Sequence, residues 1–576
     1  MVKANGRRPK RWAVWLIAPL PLFLPLLFIS RNMLFGNRDA LFYSNVLALT
    51  SDALRAGHPY TRWFADANAG IGSTVMLFYA PLAYIATALL EWPLAILRLD
   101  LGTRLMLGIY ASQVLSGVTA FRWLKEHFSI RTAFIGSLLY LLLPYKLIYI
   151  YEHINLAQLW ALVFLPLWMV AAEKLAAGGK ARAAAIFALA GAATYYCHPL
   201  TVIAFGAVPA CYALWFGRKR WTTVLWLALA CGLMAGLCLM LAVPQREYLG
   251  WIQEGRFLTG KYDWRGNLYH VDIMLCAYYA MIAALVCWAV LRGAIRESGR
   301  AGSAIFWGAV IAIPAFMNLP VSAFLWEHLP LLKYLQFPAA RLHAPALVAV
   351  IFLICVWLEH YKEMLPISPR VYRPATLAAL IALFGAGTLA RIALTYRTFG
   401  DLTWPYIEAM RDAHIIVPGE YKTRWGCVDP YVALDRYRTD TVPAPVTAEA
   451  GASAALQEWH PPRRIVFTAD VQAAEAGITV RQCYVPVWEA FDSGKPVPLS
   501  ASAPDGLIRM NLTPGMHRVE MRLGEAPNVA YARMASAGAL ALCLLLLWVP
   551  QRRKRASDHA TSQPADSVGL HAEPRR

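Results

Sequence analysis

The stretch VMLFYAPLAYIATALLEWPLAIL, residues 75–97, decides the predicted fold, because it sets how often the chain crosses a membrane. It is long and apolar enough to span a bilayer, but Pro81 and Pro93 interrupt it. If it does not cross, every cluster of Lys and Arg between the other apolar segments falls on the cytoplasmic side, as the positive-inside rule requires. We therefore predict a re-entrant or interfacial segment that is packed against protein on the far side of the membrane.

Other apolar segments of spanning length lie on both sides of this stretch. They cover residues 12–32, 104–122, 132–150, 156–172, 183–198, 199–216, 221–243, 271–291, 303–319, 342–359, 374–394 and 531–549. The first is read as an uncleaved span, since it is long and lacks a small-residue cleavage site. With 58% hydrophobic residues and a net charge of +19 spread in short clusters, the composition is typical of a polytopic membrane protein rather than a nucleic-acid binder.

The predicted fold is that of an α-helical membrane protein with about twelve spans plus the re-entrant segment, and with both termini in the cytoplasm. Its membrane domain covers 1–394 and includes an outer loop, 33–103, that carries amphipathic helices. An outer domain at 395–530 precedes the last span, 531–550, and a disordered cytoplasmic tail, 551–576.

The outer domain changes its sequence pattern at about Arg464. The runs RRIVFTADV, GITVRQCYV, GLIRMNL and HRVEMRL alternate apolar and polar residues, with Gly- and Pro-containing turns between them. This pattern predicts a small antiparallel β-sandwich. Cys427 and Cys483 lie away from the apolar segments, and the sequence leaves open whether they form a disulfide or remain two free thiols.

The outer loop begins with a helical pattern over residues 37–56, which predicts an amphipathic helix lying on the membrane. Asn37 is its expected N-cap and Gly57 its expected end. Asp39 falls in the first turn, where the helix dipole is the ordinary reason for a carboxylate. The functional interpretation makes Asp39 a general base or a metal ligand that faces a cavity in the membrane.

A second acidic position follows the third predicted span on the same face. Glu152 and His153, together with Asp39, form a candidate site for a divalent cation such as Mg²⁺, Mn²⁺ or Ca²⁺. The structural alternative is that Glu152 and His153 cap a span at the level of the lipid headgroups. The sequence thus predicts a divalent metal ion as the one cofactor, or none.

Phosphate recognition would use polar residues that lie at the outer ends of the spans, because Arg binds phosphate oxygens in a bidentate manner. The predicted substrate-binding residues are Arg38, Arg62, Asn68, Tyr79, His198, Gln336, Arg341 and His343. Contacts with lipid headgroups or structural roles are the ordinary alternative for each of them.

Several motifs together resemble a known family. They are GHPYTRW (57–63), NAGIG (68–72), FYAPLAY (78–84), SAFLWEHLPLLKYLQFPAARL (322–342) and the stretch from VPVWEAF to HRVEM (485–521). In layout the chain resembles the GT-C superfamily of polytopic glycosyltransferases. More narrowly, it is similar to bacterial membrane proteins labelled 6-pyruvoyl-tetrahydropterin-synthase-related and to the lipoteichoic-acid-glycosylation type.

The resemblance implies an enzyme of the bacterial inner membrane with its site facing the periplasm. The donor would be a sugar linked to undecaprenyl phosphate or a similar polyprenyl phosphate, and the acceptor a cell-envelope glycan or lipid. Asp39 would activate the acceptor or bind the metal, and Glu152 with His153 would match the second acidic loop of some members. Residues 38–40 read Arg-Asp-Ala rather than an acidic pair, and the second loop has Glu-His.

Two other functions remain open on the sequence. A transporter or flippase of lipid-linked saccharide predicts charges within the spans and broken helix pairs. A non-catalytic envelope scaffold predicts a periplasmic β domain that binds a partner. No nucleic-acid partner is expected.

Overall fold

The computed structural model describes residues 38–151, 153–217, 221–252, 264–267, 301–329, 332, 335, 341–364, 409–416, 422–426 and 430–548. The predicted spans 12–32, 271–291 and 374–394 and the predicted tail 551–576 lie outside the described residues.

Helices form the larger part of the fold and a β region follows them. The helices are α1 Arg38–Arg55, α2 Val75–Phe78, α3 Leu82–Glu91, α4 Leu101–Leu124, α5 Ile130–Leu141, α6 Pro144–Tyr151, α7 Leu156–Ala176, α8 Ala181–Cys197, α9 Pro199–Phe205, α10 Ala207–Gly217, α11 Trp221–Glu247, α12 Trp264–Asn267, α13 Ala301–Met317, α14 Ala323–His328, α15 His343–Met364, α16 Pro430–Arg438 and α17 Pro527–Trp548. The helix α7 lies at the centre, where it packs against α4, α8 and α10.

Several of these helices are suited to a membrane. By length and apolar composition, four candidate spans occur in the part of the chain that the structure describes: Leu156–Ala176, Pro199–Gly217, Trp221–Trp251 and Pro527–Trp548. Two bent pairs raise the number to six if each pair is one span. The first pair bends by 43° between α5 and α6, and the second bends by 92° between α13 and α14. The chain therefore has the helix content expected of a membrane protein.

The stretch 75–97 is not one straight helix. It consists of α2, α3 and a 3₁₀ helix at Trp92–Leu97, and the break between α2 and α3 falls at Tyr79–Pro81. Tyr79 is extended (φ −86°, ψ 146°), which ends α2, and Pro81 lacks the backbone donor that a continuing helix would need. Close packing of α3 on α4 then depends on Gly108, because a Cβ there would lie 2.5 Å from the Thr87 side chain.

The helix α1 has the predicted bounds but not the predicted exposure. Residues Ala40–Ser51 are all buried, so α1 does not lie on a membrane surface with its polar face in water. The segment 409–416 covers it: the Asn45 side chain donates to the carbonyls of Met410 (3.3 Å) and Ile415 (2.9 Å). The last helical residue is Arg55, and Gly57 follows in a turn with a φ of +80°, which suits glycine; Asn37 lies outside the described residues.

The β region is a two-sheet antiparallel sandwich. Its strands are β1 Val446–Ala448, β2 Ala452–His460, β3 Arg464–Val471, β4 Ala476–Cys483, β5 Trp488–Asp492, β6 Lys495–Val497, β7 Ser500–Ala501, β8 Leu507–Leu512 and β9 Gly515–Leu523. One sheet has the order β1-β4-β8-β7 and the other β2-β3-β9-β5-β6. Buried side chains of both sheets, such as Phe467, Ile478, Ile508 and Val519, form one core.

The four predicted strand runs correspond to β3, β4, β8 and β9. The sandwich begins earlier than predicted, because β1 and β2 precede Arg464. The turn Asp492-Ser493-Gly494 joins β5 and β6, with φ of +50° at Ser493 and +85° at Gly494, as a tight hairpin requires. Cys483 is disulfide-bonded, whereas Cys427 lies outside the described residues, so a Cys427–Cys483 pair stays a prediction.

A histidine–carboxylate pair in the sandwich gives it a pH-dependent stability. His517 Nδ1 lies 2.8 Å from Asp492 Oδ2, and His517 Nε2 lies 2.7 Å from the Thr513 carbonyl. Burial opposes the charge on His517, but its bonds to Asp492 and Thr513 raise its pKa on balance. Burial likewise opposes the charge on Asp492, while hydrogen bonds from His517 and the Arg518 N–H lower the pKa of the carboxyl on balance.

We expect this pair to stabilise the sandwich most between about pH 4 and pH 6.5. The raised pKa of His517 gives stability that is lost as the pH rises through that pKa. The lowered pKa of Asp492 gives stability that is lost as the pH falls through that pKa. The contribution is about 0.5–1 kcal/mol for such a partly exposed pair. Hydrogen-exchange protection of β5 and β9, corrected for intrinsic rates, should show this maximum in the wild type and lose it in His517→Asn. A profile unchanged by the substitution would contradict it.

Candidate functional site

The predicted site residues fall into two groups, those whose side chains the structure describes and those whose side chains it does not. The described side chains are Arg62, Asn68, Tyr79, His153, His198 and Arg341. The side chains of Arg38, Asp39 and His343 and the whole of Glu152 and Gln336 lie outside the described residues.

Arg341 and His198, which are far apart in the chain, meet inside the helical domain. Arg341 Nη1 donates to His198 Nε2 at 3.0 Å and to Gln158 Oε1 at 2.8 Å, and all three side chains are buried. A guanidinium can only donate, so His198 Nε2 accepts and its proton is on Nδ1. That nitrogen then donates to Thr201 Oγ1 at 2.8 Å. The network therefore fixes His198 as the neutral Nδ1–H tautomer.

The same network is positioned by helix ends. His198 stands between α8 and α9, and Arg341 precedes α15. Gln158 is in the first turn of α7, where its N–H donates to the Asn155 side chain at 2.9 Å, an N-cap bond. The sequence places all of these positions next to predicted outer turns, so their meeting agrees with one shared face.

A tyrosine extends the network toward the predicted metal ligands. The Gln158 amide nitrogen contacts Tyr145 Oη. The ring centres of Tyr145 and Tyr149 lie 4.7 Å apart, and those of Tyr149 and His153 lie 5.3 Å apart. His153, the predicted metal ligand whose side chain is described, thus joins the Arg341 network through aromatic contacts.

A second basic side chain is buried in the same helical core. Lys146, on α6, is fully buried, and its Nζ lies 3.4 Å from Gln113 Oε1 and 4.3 Å from the centre of the Tyr140 ring. No carboxylate of the described residues lies within ion-pair distance of this ammonium group. A basic side chain buried within an apolar helical core, with no carboxylate beside it among the described residues, marks a candidate functional position.

Sequence reasoning missed Lys146, Gln158, Tyr145 and Gln113. The signal was present, because Lys146 is the one charge in the apolar run LLLPYKLIYIY, residues 141–151. Polar site residues were instead predicted only at the outer ends of the spans.

Arg62 lies elsewhere, at the junction between the helical domain and the sandwich. Its Nη1 is 3.6 Å from Glu525 Oε2, and its guanidinium carbon is 5.5 Å from the centre of the Tyr248 ring. Among the described contacts, Arg62 and Arg341 have no partner residue in common. These two predicted phosphate-binding arginines therefore belong to different sets of contacts.

Asn68 and Tyr79 have structural contacts. Asn68 has a left-handed backbone, its side chain donates to the Gly72 carbonyl at 3.1 Å and it accepts from Ile416 N–H at 2.9 Å. Tyr79 Oη lies 3.3 Å from Tyr43 Oη. Both residues thereby hold the outer loop against its neighbours.

The Arg341 network has the chemistry of an anion site. It offers a guanidinium beside amide and hydroxyl side chains within an apolar surround, where electrostatic attraction is strong. Lys146 adds a buried basic side chain to the same helical core. This donor set suits phosphate oxygens and would repel a divalent cation. Among the described residues, no group of three or more His, Cys, Asp or Glu side chains is placed to hold a metal. A metal site at Asp39, Glu152 and His153 stays a prediction.

Comparison of the chain with protein-family models and with curated proteins finds no match. The likeness to GT-C glycosyltransferases therefore rests on the motifs and on the layout of the chain.

Proposed function

We propose that this chain is a GT-C type glycosyltransferase of the bacterial inner membrane. It would transfer a sugar from a polyprenyl-phosphate donor to a cell-envelope acceptor on the periplasmic face. The observation that supports this best is the buried network of Arg341, His198 and Gln158 with Lys146 in the same helical core. A lipid-linked phosphate is the anion that reaches such a place through lipid.

The chemistry is a displacement at the anomeric carbon of the donor sugar. Asp39 takes the proton from an acceptor hydroxyl, whose oxygen forms the new bond to that carbon. The bond between the same carbon and the phosphate oxygen breaks, and the lipid phosphate leaves with the electron pair. Arg341, held by Gln158 and His198, stabilises the charge that develops on this phosphate.

The proposed topology has twelve spans, both termini in the cytoplasm and the stretch 75–97 as a re-entrant segment at the periplasmic face. The break at Tyr79–Pro81 supports a segment that does not cross as one helix. Contacts of the sandwich with the outer loop support a shared side, since Cys483 N–H donates to the Ile71 carbonyl at 2.7 Å.

The assay is transfer from a radiolabelled polyprenyl-phosphate sugar to membrane extracts, with purified full-length chain. We expect Arg341→Met to lower the transfer rate about 10²–10³-fold, the usual effect of removing one charge-stabilising donor. Arg341→Lys keeps the charge but not the two-pronged geometry, so it should recover only part of the rate. The control is Arg522→Met, in an exposed pair with Glu489 on the sandwich.

A transfer rate that is equal in wild type and Arg341→Met would refute the assigned role of Arg341. Absence of transfer by the wild type from every polyprenyl-phosphate sugar tested would refute the proposed reaction.

A transporter of lipid-linked saccharide is the second candidate. Buried Lys146 and the two bent helix pairs favour it, because charges within spans and broken helices are typical of transporters. In liposomes that hold the purified chain, movement of a labelled lipid-linked sugar between leaflets without a glycosylated product would favour transport.

A further inference from the structure

The junction of the outer loop, α11 and α17 holds an incompletely paired arginine cluster. Arg62 and Arg533 both contact the Glu525 carboxylate, Arg62 at Oε2 (3.6 Å) and Arg533 at Oε1. Two guanidinium groups thus converge on one carboxylate, which leaves a net positive charge.

The Arg62 guanidinium has donors to spare. Its Nε and Nη2 atoms are buried and have no hydrogen-bond partner among the described residues, while 14% of the side chain is exposed. The 3.6 Å contact with Glu525 is longer than the 2.7–2.9 Å typical of a charge-assisted hydrogen bond. Buried donors without an acceptor are costly, so this arrangement suits an additional acceptor.

Neighbouring contacts hold the cluster in place. Tyr248, below Arg62, accepts from the Ala526 N–H at 3.2 Å, and Asn528 donates to Glu247 at 2.9 Å. These bonds join the end of α11 to the start of α17. Burial raises the pKa of Tyr60, and the charges of Arg62 and Arg533 lower it less, so this phenol stays a neutral neighbour of both arginines.

The cluster lies where the candidate spans Trp221–Trp251 and Pro527–Trp548 meet, at the end of the first and the start of the second. Apolar side chains of Tyr531 and Met534, next to Arg533, are exposed on α17. An apolar surface rimmed by arginine at the end of a span corresponds to the depth of lipid headgroups.

We propose that Arg62 and Arg533 form a binding site for the phosphate ester of a membrane lipid. Glu525 occupies the place of this anion when the site is empty. The phosphate oxygens would accept from Arg62 Nη1, which Glu525 releases, and from the adjacent Nη2, as an end-on fork. The site is separate from the Arg341 network and does not depend on sugar transfer.

The test uses the full-length chain in detergent micelles, with binding followed as a shift in Tm. The probes are dioctanoyl phosphatidylglycerol, dioctanoylglycerol, which lacks the phosphate, and sodium phosphate. We expect the phospholipid to raise Tm and dioctanoylglycerol to have no effect. In Arg62→Gln the apparent affinity should fall about tenfold, and in Glu525→Gln it should rise, because the competing carboxylate is gone. Arg522→Gln, which breaks an exposed arginine–glutamate pair, is the matched control and should bind like the wild type.

Stabilisation by sodium phosphate at equal strength would still support an anion site at Arg62 but would overturn the lipid as its source. Phospholipid binding that is the same in wild type, Glu525→Gln and Arg62→Gln would overturn the site. If Arg62→Gln does not fold, Glu525→Gln decides alone, since weaker or unchanged binding there contradicts the proposal.

Discussion

Asp39→Asn is expected to lower sugar transfer by about 10²–10⁴-fold while the chain still folds. Asparagine keeps the size of the side chain and removes the group that accepts the proton of the acceptor hydroxyl. Asp39 is the second residue of α1, so the substitution costs the helix only about 0.3–1 kcal/mol of dipole interaction. Leu41, two residues further along the helix, packs against Met410, Ile415 and Leu434.

The matched control is Asp52→Asn on the same helix. The Asp52 side chain is exposed and its partner is Arg55, at 3.3 Å in the next turn, so its loss should leave transfer unchanged. Initial rates of transfer from a labelled polyprenyl-phosphate sugar are measured for wild type and both variants, alongside Tm. An Asp39→Asn chain with wild-type rate and wild-type Tm would eliminate Asp39 as the base.

Metal titration of the same variants separates the two roles of Asp39. A metal ligand predicts that EDTA abolishes wild-type transfer and that Mg²⁺, Mn²⁺ or Ca²⁺ restores it, with more metal needed after the substitution. A general base predicts transfer that is indifferent to EDTA and that falls as the pH drops through the pKa of the carboxyl.

Local patterns predicted the parts of the fold that local forces determine. The runs at 463–471 and 517–523 alternate with period two and form β3 and β9, which pair with each other. The bounds of α1 also followed from its helical spacing and from Gly57. In the site, Arg341 and His198 were predicted together because both stand at outer ends of apolar segments.

Burial that depends on distant segments was not predictable in this way. The segment 409–416 covers α1 although more than 350 residues separate their bonded atoms, as in the contact of Asn45 with Ile415. The burial of Lys146 and Gln158 could not be predicted for the same reason. Both residues are visibly polar in the sequence, but their burial depends on how α4, α6 and α7 pack.

One glutamine, Gln482, joins the sandwich to the outer loop. Its substitution is expected to have the largest effect on stability. Gln482 is fully buried on β4, and its Oε1 accepts from Trp63 Nε1 at 2.7 Å. Its Nε2 donates to the carbonyls of Ala65 (3.2 Å) and Gly70 (2.9 Å). Gly72 makes room for this contact, since a Cβ there would lie 2.8 Å from Gln482 Oε1.

Gln482→Leu keeps the volume of the side chain and leaves these three loop groups without partners inside the protein. Each buried group left unpaired costs about 1–3 kcal/mol, so we expect a loss of about 3 kcal/mol or more in the free energy of unfolding. Denaturant titration of the full-length chain measures this loss. Limited proteolysis should also show earlier cleavage within residues 56–74, the part of the loop that Gln482 holds.

Gln472→Leu is the matched control, because this glutamine belongs to the same sandwich but its side chain is exposed. It should leave the unfolding midpoint and the cleavage pattern unchanged. Equal stability of the two variants would mean that the loop is held by packing, as between Trp63 and Trp488, whose rings lie 5.5 Å apart. If Gln482→Leu loses stability and Gln472→Leu does not, the sandwich positions the outer loop through Gln482. Because this loop carries Arg62, the sandwich would then also position Arg62.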